Sequence, residues 1–151
     1  MSTKTIESPA RIAVAQCEVH IAASPKKVYD LFLKEPHNWF YENEESKGKT
    51  PTRCQPEIGG KFYIEQPDGG FNVIGELTML KPGKKIRMRG DCTMPQAVLM
   101  NMTIAFDETE GGTRVSIDHR MFGEFEDSAP AEFEAGWQDG IDKLKALAES
   151  K

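Results

Sequence analysis

Few residues in this chain have the type and spacing for chemistry, and His119 stands first among them. In RVSIDHRMF, Arg114 to Phe122, the residues Val115, Ile117, His119 and Met121 share one parity, and Arg114, Ser116, Asp118 and Arg120 share the other. Strand side chains alternate between faces. The pattern is that of a strand with one dry face and one wet face, and His119 falls in the dry row. An imidazole there can be a satisfied core group or a hydrogen-bond anchor for the polar end of an apolar ligand. It can also be a general acid or base, which needs a second group within reach. Asp118 and Glu18 point the other way by parity, and Tyr63 faces out if Phe62 faces in. No catalytic residue is therefore assigned.

The other histidines, His20 and His37, are scattered, and Cys17, Cys54 and Cys92 form no CxxC and no zinc spacing. No metal ligand and no cofactor follow from them. An odd number of thiols with no export signal fits three free cysteines in a cytoplasmic protein.

The methionines are the second unusual group. Six of the seven lie between Met79 and Met121. Counting parity along each run puts Phe71, Val73, Leu77 and Met79 on the inward face of FNVIGELTML. Ile86 and Met88 are inward in KIRMR, and Val98, Met100, Met102, Ile104 and Phe106 are inward in VLMNMTIAF. Five methionines thus share a dry face with His119. Such a stripe is commonly plain core. Methionine is also unbranched and polarisable, and it suits walls that adapt to varied apolar shapes.

These residues need elements to hold them. RIAVAQCEVHIA reads as a strand with Ala13, Ala15, Cys17, Val19 and Ile21 on one face. In ASPKKVYDLFLKEP, Ser24 suits a helix N-cap and Pro25 the first helical position, with Val28, Leu31 and Phe32 on one stripe. Pro36 stops that helix, and a second short helical turn carries Trp39 and Phe40. YENEESKGKTPTR reads as an exposed loop. Hairpins follow, with turns at PDGG, at Pro82-Gly83 and at TEGG, which implies an antiparallel meander. From Ser128 the period changes: Phe133, Trp137, Ile141, Leu144 and Ala148 recur every three or four residues, one face of a long helix. Gly136 and Gly140 interrupt it, and each costs about 1 kcal/mol against alanine. Either something packs closely there or space is being left open.

The order is strand, helix, short helix, five or six strands and a long helix, an α+β arrangement. Residues 1–10 read as a loose N-terminal segment and 11–151 as one domain. The net charge of −5 disfavours nucleic acid and anionic membranes as partners. No apolar run has the roughly 18 residues needed to insert in a membrane. Dimerisation is compatible with the sequence, which gives no interface.

Several pieces, in order, carry a resemblance: VHIAASPKKVYDLFL, Trp39, EIGGKF, IGELTMLKPGKKI, EGGTRVSIDHRMF and GWQDGIDKL. The chain resembles the SRPBCC superfamily of START-like, or Bet v 1-like, helix-grip domains. Within it, the chain is most similar to the branch of the activator of Hsp90 ATPase homologue 1-like C-terminal domain. The resemblance implies a curved antiparallel sheet of six to seven strands wrapped around a long C-terminal helix, with two short helices after the first strand. It also implies a cavity for hydrophobic molecules between sheet and helix.

The leading expectation is a module that binds a small hydrophobic molecule, of lipid, polyketide or aromatic type, in that cavity. Its walls would be Trp39, Phe71, Met79, Met88, Met100, Met102, His119, Met121, Phe133, Trp137 and Ile141. An enzyme of cyclase, aromatase or hydrolase type using the same cavity is an alternative. An Hsp90 ATPase activator-like interaction domain is another. The balance leans against catalysis, with both alternatives kept.

Overall fold

The computed structural model describes residues 2–5, 9–40 and 51–150. Strand β1 (Arg11–Ile21) leads into helix α1 (Pro25–Lys34) and a 3-10 turn (Pro36–Asn38). Strands β2 (Thr52–Cys54), β3 (Lys61–Glu65), β4 (Phe71–Lys81), β5 (Lys85–Gly90), β6 (Val98–Thr109) and β7 (Gly112–Gly123) follow, and then helix α2 (Ala129–Ser150). The seven strands form one antiparallel sheet in the order β1-β7-β6-β5-β4-β3-β2. Only the β1–β7 pairing breaks the meander, and α2 packs across β1, so the sheet curls around the helix.

Local chemistry explains the elements. Ser24 caps α1 by accepting from the Lys27 amide at 3.2 Å, and Pro25 takes the first helical position. The stripe Val28, Leu31 and Phe32 is buried. The expected second helix is a single 3-10 turn, because Pro36 opens it and Trp39 already closes it three residues later. The exposed loop expected over residues 41–53 is corrected at its end. Thr52 is fully buried in β2, where its hydroxyl donates to the Phe40 carbonyl at 3.0 Å. The first ten residues of that stretch lie outside the described residues.

Strands β1, β6 and β7 keep an unbroken register, and their alternation is the expected one. Val115, Ile117, His119 and Met121 face the core, as do Met100, Met102, Ile104 and Phe106. Strand β4 differs. It carries two bulges, one opposite Phe62 and Tyr63 and one between Leu77 and Met79. Each bulge inserts a residue and reverses the parity beyond it. Phe71 is consequently 65% exposed and touches Tyr63 on the outer face, with ring centroids 5.8 Å apart. Met79 pairs with the outward Arg87 instead of joining the core. The inward placement of Phe71, Val73 and Met79 is thus corrected. Ile74 and Leu80 take the inner positions. The first bulge is seated against Gly90, where an added Cβ would stand 2.4 Å from the Ile74 carbonyl oxygen.

The two helix glycines have different reasons. A Cβ on Gly140 would meet the Trp39 ring at 3.4 Å, so this residue allows close packing. A Cβ on Gly136 would meet nothing within 4 Å. Gly136→Ala should therefore raise stability by about 1 kcal/mol through helix propensity alone. Gly140→Ala should not gain, and urea unfolding of the two variants checks the pair.

Candidate ligand-binding cavity

Between the β3–β4 end of the sheet and the first half of α2 lies an apolar cavity of about 250 Å³. Phe40, Ile64, Ile74, Phe133 and Trp137 form its greasy wall, and Cys92, Thr93, Glu132 and Gly136 complete its lining. Helix spacing accounts for one side, since Glu132, Phe133, Gly136 and Trp137 fall one turn apart on α2. The first β4 bulge accounts for the other, because it turns Ile74 inward beside Ile64. The loop after β5 supplies Cys92 and Thr93 through two successive left-handed residues, with φ of 50° and 64°. Asp91 holds that bend by accepting from the Thr93 amide at 2.9 Å.

Of the expected site residues, only Phe133 and Trp137 line this cavity. Met88, Met100, Met102, Met121 and Ile141 are buried in the core and do not line the cavity. Trp39 is likewise core: it is 1% exposed and lies against Phe32 and Phe40, and its Nε1 has no partner among the described residues. Phe71 and Met79 lie off this face altogether. Sequence reasoning missed Phe40, Ile64, Ile74, Cys92, Thr93, Glu132 and Gly136 as lining. For Glu132 and Gly136 a signal existed, because they share a helical face with Phe133 and Trp137.

His119 sits directly behind Trp137. It is fully buried, and its Nδ1 accepts from Trp137 Nε1 at 2.8 Å. An indole N–H can only donate, so Nδ1 carries no proton and the neutral ring holds its hydrogen on Nε2. Nε2 lies 3.0 Å from Met100 Sδ, to which it donates. The Phe133 ring tilts over the imidazole at 4.6 Å. Burial pushes the His119 pKa down to about 4, against a smaller upward pull from Asp118. The imidazole is therefore neutral near pH 7, and both of its nitrogens are engaged by protein groups. Its chemistry is to anchor α2 to the sheet.

The thiols are protonated for the same physical reason. Burial, followed by the charge of Asp91, pushes Cys92 up to about 12. Burial also pushes Cys54 up to about 12, and burial with Glu134 and Asp142 pushes Cys17 up to about 11. Cys92 is in contact with Met102 at 3.5 Å between sulfurs.

A family model described as Activator of Hsp90 ATPase homolog 1-like protein matches residues 22–149. No curated protein matches the chain. Among solved structures, an uncharacterized protein from Rhizobium leguminosarum superposes with a TM-score of 0.73 at 21% identity, over 97% of this chain and 100% of that one. The Aha1 dimer from Colwellia psychrerythraea, a solution structure, gives 0.67 at 19% identity, over 91% and 96%. DynU16, from the dynemicin biosynthetic locus, gives 0.65 at 16% identity, over 88% of this chain and 46% of that one. At such identities the likeness is one of fold.

Proposed function

The chain belongs to the family of Activator of Hsp90 ATPase homolog 1-like proteins, with the helix-grip fold, and within that family we propose that it binds a small hydrophobic molecule in the cavity between sheet and α2. One observation carries this reading. Beside a closely packed core, about 250 Å³ stands open, walled by three aromatic rings and two isoleucines. That volume lies just under the roughly 300–1,000 Å³ typical of small-molecule sites, so the molecule is compact. The pliable Met102, whose sulfur meets that of the lining Cys92, can adapt the wall's shape. An enzyme in this cavity would lack His119 as its proton carrier, because both ring nitrogens are engaged by protein groups and the residue does not line the space.

The test is a thermal-shift screen with naphthols, quinones, flavonoids and aromatic polyketides on the wild type and on Gly136→Leu. A ligand at 100 times its dissociation constant adds about 2.7 kcal/mol. For a chain of this size that shift is several degrees, at roughly 2–4 °C per kcal/mol. The leucine side chain fills the opening from an unhindered helix position, so it should abolish the shift without unfolding the protein. An undiminished shift in Gly136→Leu would place the ligand elsewhere.

For the outer face of the sheet we propose a second copy of this chain. Ile12, Phe122 and Leu99 lie in register across β1, β7 and β6 and are 73%, 53% and 52% exposed. Three large apolar residues in one outward row form a patch that calls for cover. The charges beside it are balanced internally, since Arg120 is bonded to Asp118 at 2.9 Å. A self-neutral face suits an isologous contact, in which the same patch on both copies must complement itself. The relative from Colwellia psychrerythraea is itself a dimer. Light scattering should report a dimer for the wild type and a monomer for Phe122→Asp. A monomeric wild type at high micromolar concentration would refute the contact.

A further inference from the structure

The described lining of the cavity carries a carboxylate and no cationic side chain. Among the described residues that line it, Glu132 is the one charged side chain, and none is Lys, Arg or His. A second carboxylate, Asp91, adjoins the lining residues Cys92 and Thr93, and its field reaches the wall, where it helps keep the Cys92 thiol protonated. Three donors beside the space are already engaged, which leaves the Thr93 hydroxyl as the neutral donor of the lining. The Trp137 indole N–H points away into His119. The Thr93 amide is bonded to Asp91 and the Cys92 amide to the Ile74 carbonyl at 3.1 Å. Three aromatic rings stand among the lining residues. Phe40 and Trp137 meet edge-on at 5.5 Å and 67°, with Phe133 beside them. Aromatic faces carry negative quadrupole charge and attract cations.

From this geometry we propose that the cavity selects compact apolar molecules bearing an ammonium group, tertiary or quaternary, and rejects carboxylates. The proposal rests on the cavity being a binding site. The apolar body sits against Ile64, Ile74 and Trp137, and the cationic head lies toward Glu132. A fatty acid or other carboxylate finds no cation among the described lining residues and meets Glu132 and Asp91 as like charges. A protein with net charge −5 adds to the bias.

Three probes with one body decide it by calorimetry: benzyltrimethylammonium, its neutral isostere neopentylbenzene, and phenylacetate. Benzyltrimethylammonium should bind roughly 3- to 30-fold more tightly than neopentylbenzene, the span of cation–π attraction from exposed to desolvated sites. Phenylacetate should bind weakest. Glu132→Gln should narrow the gap between the first two, and added salt should narrow it in the wild type. Gly136→Leu should remove binding of all. If neopentylbenzene binds as well as the ammonium probe, or phenylacetate does, the selectivity is overturned while the cavity stands as a binding site. If none of the three binds, both readings fall.

Discussion

Trp137→Ala is expected to cost about 3–5 kcal/mol of stability, the range for truncating a large buried aromatic residue. At roughly 2–4 °C per kcal/mol the melting temperature should fall by about 6–20 °C. Trp137 is 5% exposed and does three things at once. It meets the Phe40 ring, it walls the cavity, and it donates to His119. Truncation loses the packing and leaves Nδ1 of a buried imidazole without a donor, itself worth about 1–3 kcal/mol. Trp137→Phe separates these contributions, because it keeps most of the ring and loses the N–H. Its cost should lie near 1–3 kcal/mol. Adding His119→Phe should then cost less than the two single changes summed, since the donor and its acceptor leave together. Additive costs would mean that the 2.8 Å contact does not couple the pair in solution.

The fold was readable wherever a periodic pattern ran without interruption. The alternation through Val115, Ile117, His119 and Met121 survives because β6 and β7 pair in unbroken register over Val98–Thr109. The capping pair Ser24 and Pro25 announced α1, and the 3.6-residue stripe through Trp137, Ile141 and Leu144 announced α2. Phe71 and Met79 were misplaced because a bulge leaves no mark in an alternation count. Its trace is indirect: Gly75 within β4 and Gly90 opposite it, where an added Cβ on Gly90 would stand 2.4 Å from a backbone oxygen. The cavity was less legible than the core for the same reason. Ile74 reaches it through a bulge, and Cys92 and Thr93 reach it through two left-handed residues that are not glycine. Such strained positions are set by tertiary contacts rather than by local preference. His119 was placed on the correct face, but its partners, Trp137 eighteen residues on and Met100 across the sheet, were not derivable from parity.

The stability of the protein should fall by about 2–3 kcal/mol between pH 7 and pH 4.5 on account of His119 alone. An unfolded histidine titrates near 6.5, whereas burial holds this one down to about 4. Between those values the unfolded chain binds a proton that the folded chain refuses, so stability rises with pH across the window. The contribution is fully present above about pH 6.5 and is lost as the pH falls toward 4. The carboxylates act in a lower window. The Arg120 hydrogen bond beside Asp118 holds that carboxyl below its usual range, and the Ala22 amide does the same for Glu149. Their stabilisation fades only as pH drops through those lowered values. Urea unfolding of the wild type at pH 7, 5.5 and 4.5 measures the loss, and His119→Phe tests its source. That variant pays at pH 7 for an unpaired Trp137 N–H, about 1–3 kcal/mol, and should then lose little more by pH 4.5. A wild type and a variant that decline in parallel would assign the acid sensitivity to other groups, and would mean that the imidazole takes up its proton inside the fold.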